Sequence, residues 1–153
     1  MMGVVCRGST AATSPTVGFE FSALRRENDV VHFWDTAGME RFRCITPNYF
    51  RKIDACWVVV DASDVDRKGQ ALYWLDFAKR HTDRPLLLVL TKTDLLLDRY
   101  PKFEFSTFRV PCVEGNMFES RESWLEKLAP FLPEKSRPVT PPNYRAETCC
   151  SLA

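Results

Sequence analysis

The sequence lacks several features that would place it in a large class at once. Its 21 basic and 20 acidic side chains leave a net charge of +1, which points neither to nucleic acid nor to an acidic partner. Its apolar runs, such as residues 55–60 and 86–90, are too short to cross a bilayer. The first residues predict no secretory signal, and Gly3 follows two methionines, which excludes the N-myristoylation pattern.

The sequence also lacks any regular cysteine spacing. Four of its six cysteines stand singly: Cys6, Cys44, Cys56 and Cys112. Their spacing predicts neither a zinc site nor a secreted disulfide framework. We expect these four to be reduced thiols in a cytosolic protein. The other two are adjacent and lie near the C-terminus.

Hydrophobic patterning predicts one α/β domain over residues 1–132, in which a mostly parallel sheet carries an antiparallel hairpin at one edge. Val- and Leu-rich runs are typical of strands buried on both faces of a parallel sheet, and the helical spacing between them predicts a right-handed crossover. The predicted strands are residues 16–25, 30–34, 55–60, 86–90 and 109–113, and the predicted helices are 66–81 and 119–129. Residues 133–153 are rich in proline and predict a flexible tail.

Polar motifs follow three of the predicted strands, where ligands of parallel sheets bind. In Asp35-Thr36-Ala37-Gly38, the carboxylate suits a magnesium ion, and the glycine allows a phosphate to approach the backbone. Asp61 follows the next strand. In Thr91-Lys92-Thr93-Asp94, Asp94 can accept two hydrogen bonds from the edge of guanine while the Lys92 stem lies over the base.

Together these motifs resemble the small GTPases of the Rab group, which implies a P-loop-NTPase-like fold. The stretch WDTAGMERFRCIT, residues 34–46, is similar to that group's second switch nearly residue for residue. The stretch PTVGFEF, residues 15–21, resembles the first switch and the strand after it. Two shorter stretches, Tyr49-Phe50-Arg51 and Trp57-Val58-Val59-Val60-Asp61, are also of Rab type.

The resemblance implies that GTP or GDP and Mg²⁺ bind in the cleft and that effectors bind the switch face. The implied magnesium ligands are Thr16 and Asp35, and the implied effector face is Phe21, Trp34 and Tyr49. The implied nucleotide-binding residues are Asp35, Thr36, Ala37, Gly38, Thr91, Lys92, Asp94, Leu95, Cys112 and Val113. Thr91 stands where the family usually has asparagine.

The phosphate-binding loop departs from the family pattern, G-x-x-x-x-G-K-[ST] after a strand. Residues 3–10 keep the glycine spacing, but Ser9 replaces the lysine, and six residues from Thr10 to Thr16 leave no room for a helix. We interpret this partial match as coincidental. The N-terminal strand, loop and helix are therefore truncated or degenerate, unless residues 3–6 pair as a short strand in the middle of the sheet.

The catalytic position departs as well. Met39 stands where the family has the glutamine that orients the attacking water, and a thioether cannot align a water as an amide does. No catalytic residue is therefore intact, and we expect hydrolysis to be weak or absent. The loop with which the family usually contacts the base through Ser-Ala-Lys is also degenerate, and Cys112-Val113-Glu114 is the nearest segment.

The end of the tail resembles a Rab double-cysteine terminus. Cys149 and Cys150 predict prenylation, and two lipid chains would hold the protein stably on a membrane. The resemblance then implies an exchange factor, prenylation machinery and a lipid-extraction chaperone as partners. The implied location is cytosolic and peripheral to an endomembrane.

Three hypotheses remain open from the sequence. The favoured one is a Rab-like guanine-nucleotide switch in vesicle traffic. The second is a nucleotide-free interaction module that keeps the effector face, as Ser9 and Met39 favour. The third is a fragment of a complete Rab GTPase.

Overall fold

An antiparallel hairpin, a parallel sheet and two helices make up the described part of the chain. The computed structural model describes residues 16–25, 30–39, 42–96, 108–116 and 118–133. The strands are β1 (Phe19–Arg25), β2 (Val30–Thr36), β3 (Cys56–Asp61), β4 (Leu86–Thr91) and β5 (Cys112–Glu114). The helices are α1 (Arg67–His81) and α2 (Arg121–Leu128), and short 3₁₀ turns span Thr46–Lys52, Thr93–Leu95 and Ala129–Phe131.

The hairpin pairs β1 with β2 from Phe19 opposite Thr36 to Arg25 opposite Val30. Gly18 has a φ of +76°, which ends the extended conformation and makes β1 start later than the predicted residue 16. The Ala37 N–H then donates to the Gly18 carbonyl at 2.9 Å. This bond extends the ladder past β2, which ends two residues later than predicted.

The parallel sheet has the order β3-β4-β5, and α1 connects its first two strands. The central strand β4 is buried on both faces, as its continuous apolar run predicts. Leu88 and Leu90 face α1 in one core cluster, while Leu87 and Val89 face α2 in the other. The predicted α/β class with a parallel sheet and an antiparallel hairpin is confirmed.

Two predicted boundaries move for identifiable reasons. Arg109 has a φ of +52°, which no strand residue adopts, so β5 begins at Cys112 rather than at residue 109. Ser120 caps α2 by accepting a hydrogen bond from the Ser123 N–H at 3.2 Å, so this helix starts after residue 119.

Among the described strands, the hairpin and the parallel sheet form two separate sheets. Within the described ranges, no ladder pairs β2 with β3. The predicted pairing of residues 3–6 lies outside the described residues, as do the tail and most of the segment between Leu96 and Phe108. None of the helices in the described part is long and apolar enough to cross a membrane.

Candidate nucleotide site and aromatic face

The loop after β4 is held against the end of β3. Thr91 lies opposite Asp61 in the parallel register, and its hydroxyl donates to the Val60 carbonyl at 3.2 Å. Lys92 adopts the left-handed conformation, with φ 58°. Its ammonium lies 2.5 Å from an Asp61 carboxylate oxygen. The register therefore brings together two of the polar motifs that follow strands in the sequence.

Asp61 is the centre of a small polar network. The Ser63 backbone N–H and hydroxyl both donate to one carboxylate oxygen, at 2.9 and 2.6 Å. Although burial acts in the opposite direction, the hydrogen bonds from Lys92 and Ser63 and the Lys92 charge keep the pKa of Asp61 below its ordinary value. Asp61 thus stays ionised near neutral pH and fixes the direction of the Lys92 side chain.

Asp94 and Leu95 lie on the 3₁₀ turn that follows Lys92. Both side chains are exposed, Leu95 at 53%. The turn is closed by the Leu95 N–H, which donates to the Lys92 carbonyl at 3.0 Å. Asp94 is therefore free of the sheet and can present its carboxylate to a ligand, as reading a guanine edge requires.

The segment after β5 packs against this turn through the backbone. The Gly115 carbonyl accepts a hydrogen bond from Thr93 N–H at 3.4 Å, and the Gly115 N–H donates to the Leu90 carbonyl at 3.0 Å. Cys112 and Val113 lie within β5, opposite Leu88 and Val89 in the middle of β4, and not at the carboxyl edge.

This placement differs from the predicted base contacts. Val113 is buried at 8% exposure, and Cys112 packs against the core on the α1 face. Burial, with a smaller contribution from Glu114, raises the pKa of the Cys112 thiol to about 11. The structure therefore turns both side chains to the cores, and Gly115 and Asn116 follow β5 towards the carboxyl edge. The expectation that ligands bind beyond the carboxyl ends of parallel strands, applied to β5, points to Gly115 and Asn116.

The Asp35–Gly38 loop ends the hairpin. Asp35 is half-buried opposite Glu20, and burial raises the pKa of its carboxyl. Thr36 closes β2, Ala37 is buried, and Gly38 is exposed. A side-chain carbon added at Gly38 would meet no atom within 4 Å, so space for a ligand lies in front of its backbone.

The predicted magnesium ligands supply only part of a coordination sphere. Among the described residues, no three His, Cys, Asp or Glu side chains form a metal cluster. Thr16 lies two residues before Gly18, at the end of the hairpin that carries Asp35. One carboxylate and one hydroxyl fit Mg²⁺ only if phosphate oxygens and waters complete the octahedron.

The predicted effector residues form one aromatic cluster. The Trp34 ring lies 5.0 Å from that of Phe21 and 5.8 Å from that of Tyr49, centroid to centroid. Phe19, which the sequence reasoning missed, joins Trp34 at 5.7 Å and Tyr49 at 5.1 Å. Its odd-numbered position in β1, shared with Phe21, was the available signal. We call Phe19, Phe21, Trp34 and Tyr49 the aromatic face.

Comparison with known proteins agrees with this geometry. The family model for the Ras of Complex, Roc, domain of DAPkinase matches residues 5–94, more than half of the chain. The chain belongs to the Ras superfamily of small GTPase domains.

Similar proteins carry Ras and Rab names. A mouse (Mus musculus) Ras and EF-hand domain-containing protein homolog is 37% identical over 54% of this chain and 14% of its own length. The Ras-related protein RIC1 of rice (Oryza sativa subsp. japonica) is 35% identical over 58% of this chain and 47% of its own. The Ras-related protein Rab11C of tobacco (Nicotiana tabacum) is 33% identical over 52% and 39%, respectively. The chain thus spans less than half the length of these relatives.

Met39 is the residue that the sequence predicts in place of the family's water-orienting glutamine. It directly follows Gly38 and is 42% exposed. Ser9 and the two C-terminal cysteines, Cys149 and Cys150, lie outside the described residues. Their predicted roles remain predictions.

Proposed function

We propose that this protein is a Rab-like guanine-nucleotide switch with little or no hydrolysis of its own. Small GTPase relatives bind GTP or GDP with Mg²⁺ and act through effectors and regulators in general. The observation that best supports guanine binding here is the Lys92–Asp61 pair, which holds the turn carrying an exposed Asp94.

Hydrolysis is expected to be weak because Met39 stands where the family has the glutamine that orients the attacking water. The exposed Met39 thioether is a poor hydrogen-bond acceptor and no donor. Thr16 and Asp35 would hold Mg²⁺ together with nucleotide phosphates. With Ser9 at the lysine position, one fixed positive charge towards those phosphates is missing, so we also expect weaker binding than in an intact relative.

The experiment that tests guanine binding is a titration of the purified full chain with a fluorescent GTP analogue. Asp94→Ala should abolish binding, and excess GTP but not ATP should displace the analogue. Asp83→Ala is the matched control, because Asp83 is also an exposed carboxylate but precedes β4 instead of following it. Unchanged binding by the Asp94 variant would refute the guanine assignment.

The second candidate is a nucleotide-free module that presents the aromatic face. It is favoured by Met39 and by the fact that the face needs only β1, β2 and the turn Thr46–Lys52. This candidate would be supported over the first if the protein is folded, releases no nucleotide when it is denatured, and does not bind the analogue at high concentration.

We further propose that the tail anchors the protein to an endomembrane in vesicle traffic. The proposal depends on the adjacent Cys149 and Cys150 and on relatives with Rab names. Mass spectrometry of the chain from eukaryotic cells should find prenyl groups on these cysteines, and a Cys149→Ser/Cys150→Ser variant should leave the membrane fraction. An unmodified native tail would contradict the anchor.

A further inference from the structure

Asp61 ends β3, and its two carboxylate oxygens have different partners. One oxygen accepts hydrogen bonds from the Ser63 backbone N–H and hydroxyl, at 2.9 and 2.6 Å. The other oxygen accepts a hydrogen bond from the Lys92 ammonium at 2.5 Å. The bonds from Ser63 therefore hold the carboxyl group in one orientation, in which its second oxygen is directed at the lysine.

Lys92 depends on this contact for a fixed side chain. The side chain is half-exposed, and a lysine has four rotatable bonds, so it would exchange among many rotamers in water. Its backbone is held at φ 58° at the start of the 3₁₀ turn, directly after Thr91, whose hydroxyl bonds to the Val60 carbonyl. The backbone thus fixes the root of the side chain and Asp61 fixes its tip, so the apolar stem spans from the end of β4 to the end of β3.

The ion pair also decides what Lys92 can offer to a ligand. Its ammonium already has a carboxylate partner, whereas the methylene groups of its stem can pack on a flat base. Asp94 is two residues further on, in the turn closed by the bond from the Leu95 N–H to the Lys92 carbonyl at 3.0 Å. The stem and the carboxylate suited to the edge of guanine therefore belong to one short loop.

A purely structural role for the pair would be to tie the end of β3 to the end of β4. The parallel ladder already does this, from Cys56 opposite Leu86 to Asp61 opposite Thr91. The Ala62 N–H continues the ladder by donating to the Thr91 carbonyl at 2.8 Å. A half-exposed ion pair adds little stability to strands that are paired in this way.

We propose that Asp61 is a positioning residue for guanine, which orders the Lys92 stem before the nucleotide arrives so that the base packs on an already extended side chain. The inference rests on the guanine binding proposed above and adds a residue that acts through Lys92. Without Asp61, the nucleotide itself would have to order Lys92. Immobilising one long side chain lowers affinity by about three- to tenfold.

A double-mutant cycle on the full chain tests the positioning, with the affinity for the fluorescent GTP analogue as the readout. Asp61→Asn removes the charge that holds the lysine and should weaken binding by about three- to tenfold. Lys92→Met keeps an apolar stem without the held tip and should weaken binding by a similar factor. The double variant should bind no more weakly than Lys92→Met alone, because Asp61 acts only through Lys92. Effects that multiply would overturn the proposal.

Asp64→Asn is the matched control for this cycle. Asp64 is an exposed carboxylate three residues after Asp61, and it accepts a hydrogen bond from the Asp66 N–H at 2.8 Å, so its replacement should leave the affinity unchanged. If the unaltered chain binds the analogue and Asp61→Asn binds it equally tightly, only the positioning is overturned. If the unaltered chain binds no analogue, the guanine assignment fails and the positioning fails with it.

A second measurement covers the case in which Asp61→Asn does not fold. The unaltered native chain is acetylated with a dilute succinimidyl ester, and peptide mass spectrometry compares Lys92 with the exposed Lys79 of α1. Lys92 should react about threefold more slowly because its ammonium is held by a carboxylate. GTP should slow Lys92 further and leave Lys79 unchanged, because only Lys92 would lie under the base. Equal rates with no effect of GTP would overturn the proposal.

Discussion

Replacing Trp124 should cost more stability than any other single change on α2. Trp124 is 1% exposed and packs with Leu87, Val89, Val113 and Leu128. A buried Trp side chain removes about 200 Å² from water, worth about 5 kcal/mol at 25 cal/mol per Å². Trp124→Ala should therefore destabilise by about 3–5 kcal/mol, which is a large part of the total stability of a small domain.

The Trp124 ring also positions the segment after β5, beside the loop at Thr91–Leu95. Its indole N–H donates to the Asn116 carbonyl at 2.9 Å. The preceding residue, Gly115, accepts a hydrogen bond from the Thr93 N–H. Trp124→Phe keeps most of the packing and loses this bond, so we expect a cost of about 1–2 kcal/mol.

Urea unfolding of the full chain, followed by far-UV circular dichroism, measures both values. The control is Phe118→Ala, since Phe118 is on the same segment but 77% exposed and should change the unfolding free energy by less than about 0.5 kcal/mol. A Trp124→Ala cost below about 1 kcal/mol would refute the two-core description, and equal costs for Trp124→Phe and Trp124→Ala would refute the separation of packing from hydrogen bonding.

Three further predictions follow from single residues. The pKa of Asp61 is lowered in the folded protein, so its ion pair stabilises the fold above the ordinary Asp pKa of 3.8, and this stability is lost as pH falls through the lower folded value. Because the Lys92 partner is half-exposed, the pair contributes less than about 1 kcal/mol. Asp61→Asn should remove this part of the change in unfolding free energy, measured by urea unfolding between about pH 2 and pH 5. Gly18→Ala should destabilise by about 1–2 kcal/mol in the same assay because of its positive φ, whereas Gly38→Ala, with open space around it, should be nearly neutral, and equal effects would contradict the backbone assignment. At neutral pH the exposed Cys44 should react with maleimide well before Cys112, whose thiol has a pKa of about 11, and peptide mapping that finds the reverse order would contradict the burial.

Much of the fold is predictable because its signals are local. The run at Leu86–Thr91 is apolar throughout, and only a strand covered on both faces buries such a run. The α1 helix likewise carries its buried positions Ala71, Leu75 and Ala78 at helical spacing. These elements were placed within one residue because nothing distant in sequence decides them.

The details of the site depend on distant residues. Lys92 meets Asp61 across 31 positions only because the parallel register sets Thr91 opposite Asp61. The reach of Trp124 back to Asn116 likewise depends on how α2 packs on the sheet. Arg109 adopts the left-handed conformation, which is usually a glycine position, so the sequence pattern does not predict where β5 begins.

The two candidate functions depend on different parts of the molecule. The loop at Thr91–Leu95 is fixed by β3, β4 and the segment after β5, whereas the aromatic face belongs to the hairpin and the turn that carries Tyr49. In the described residues, no hydrogen bond or ion pair joins the loop at Asp35–Gly38 to the loop at Thr91–Leu95. A nucleotide that contacts both loops would therefore bridge the two described sheets. The aromatic face needs no such link, so it can persist where nucleotide binding is lost.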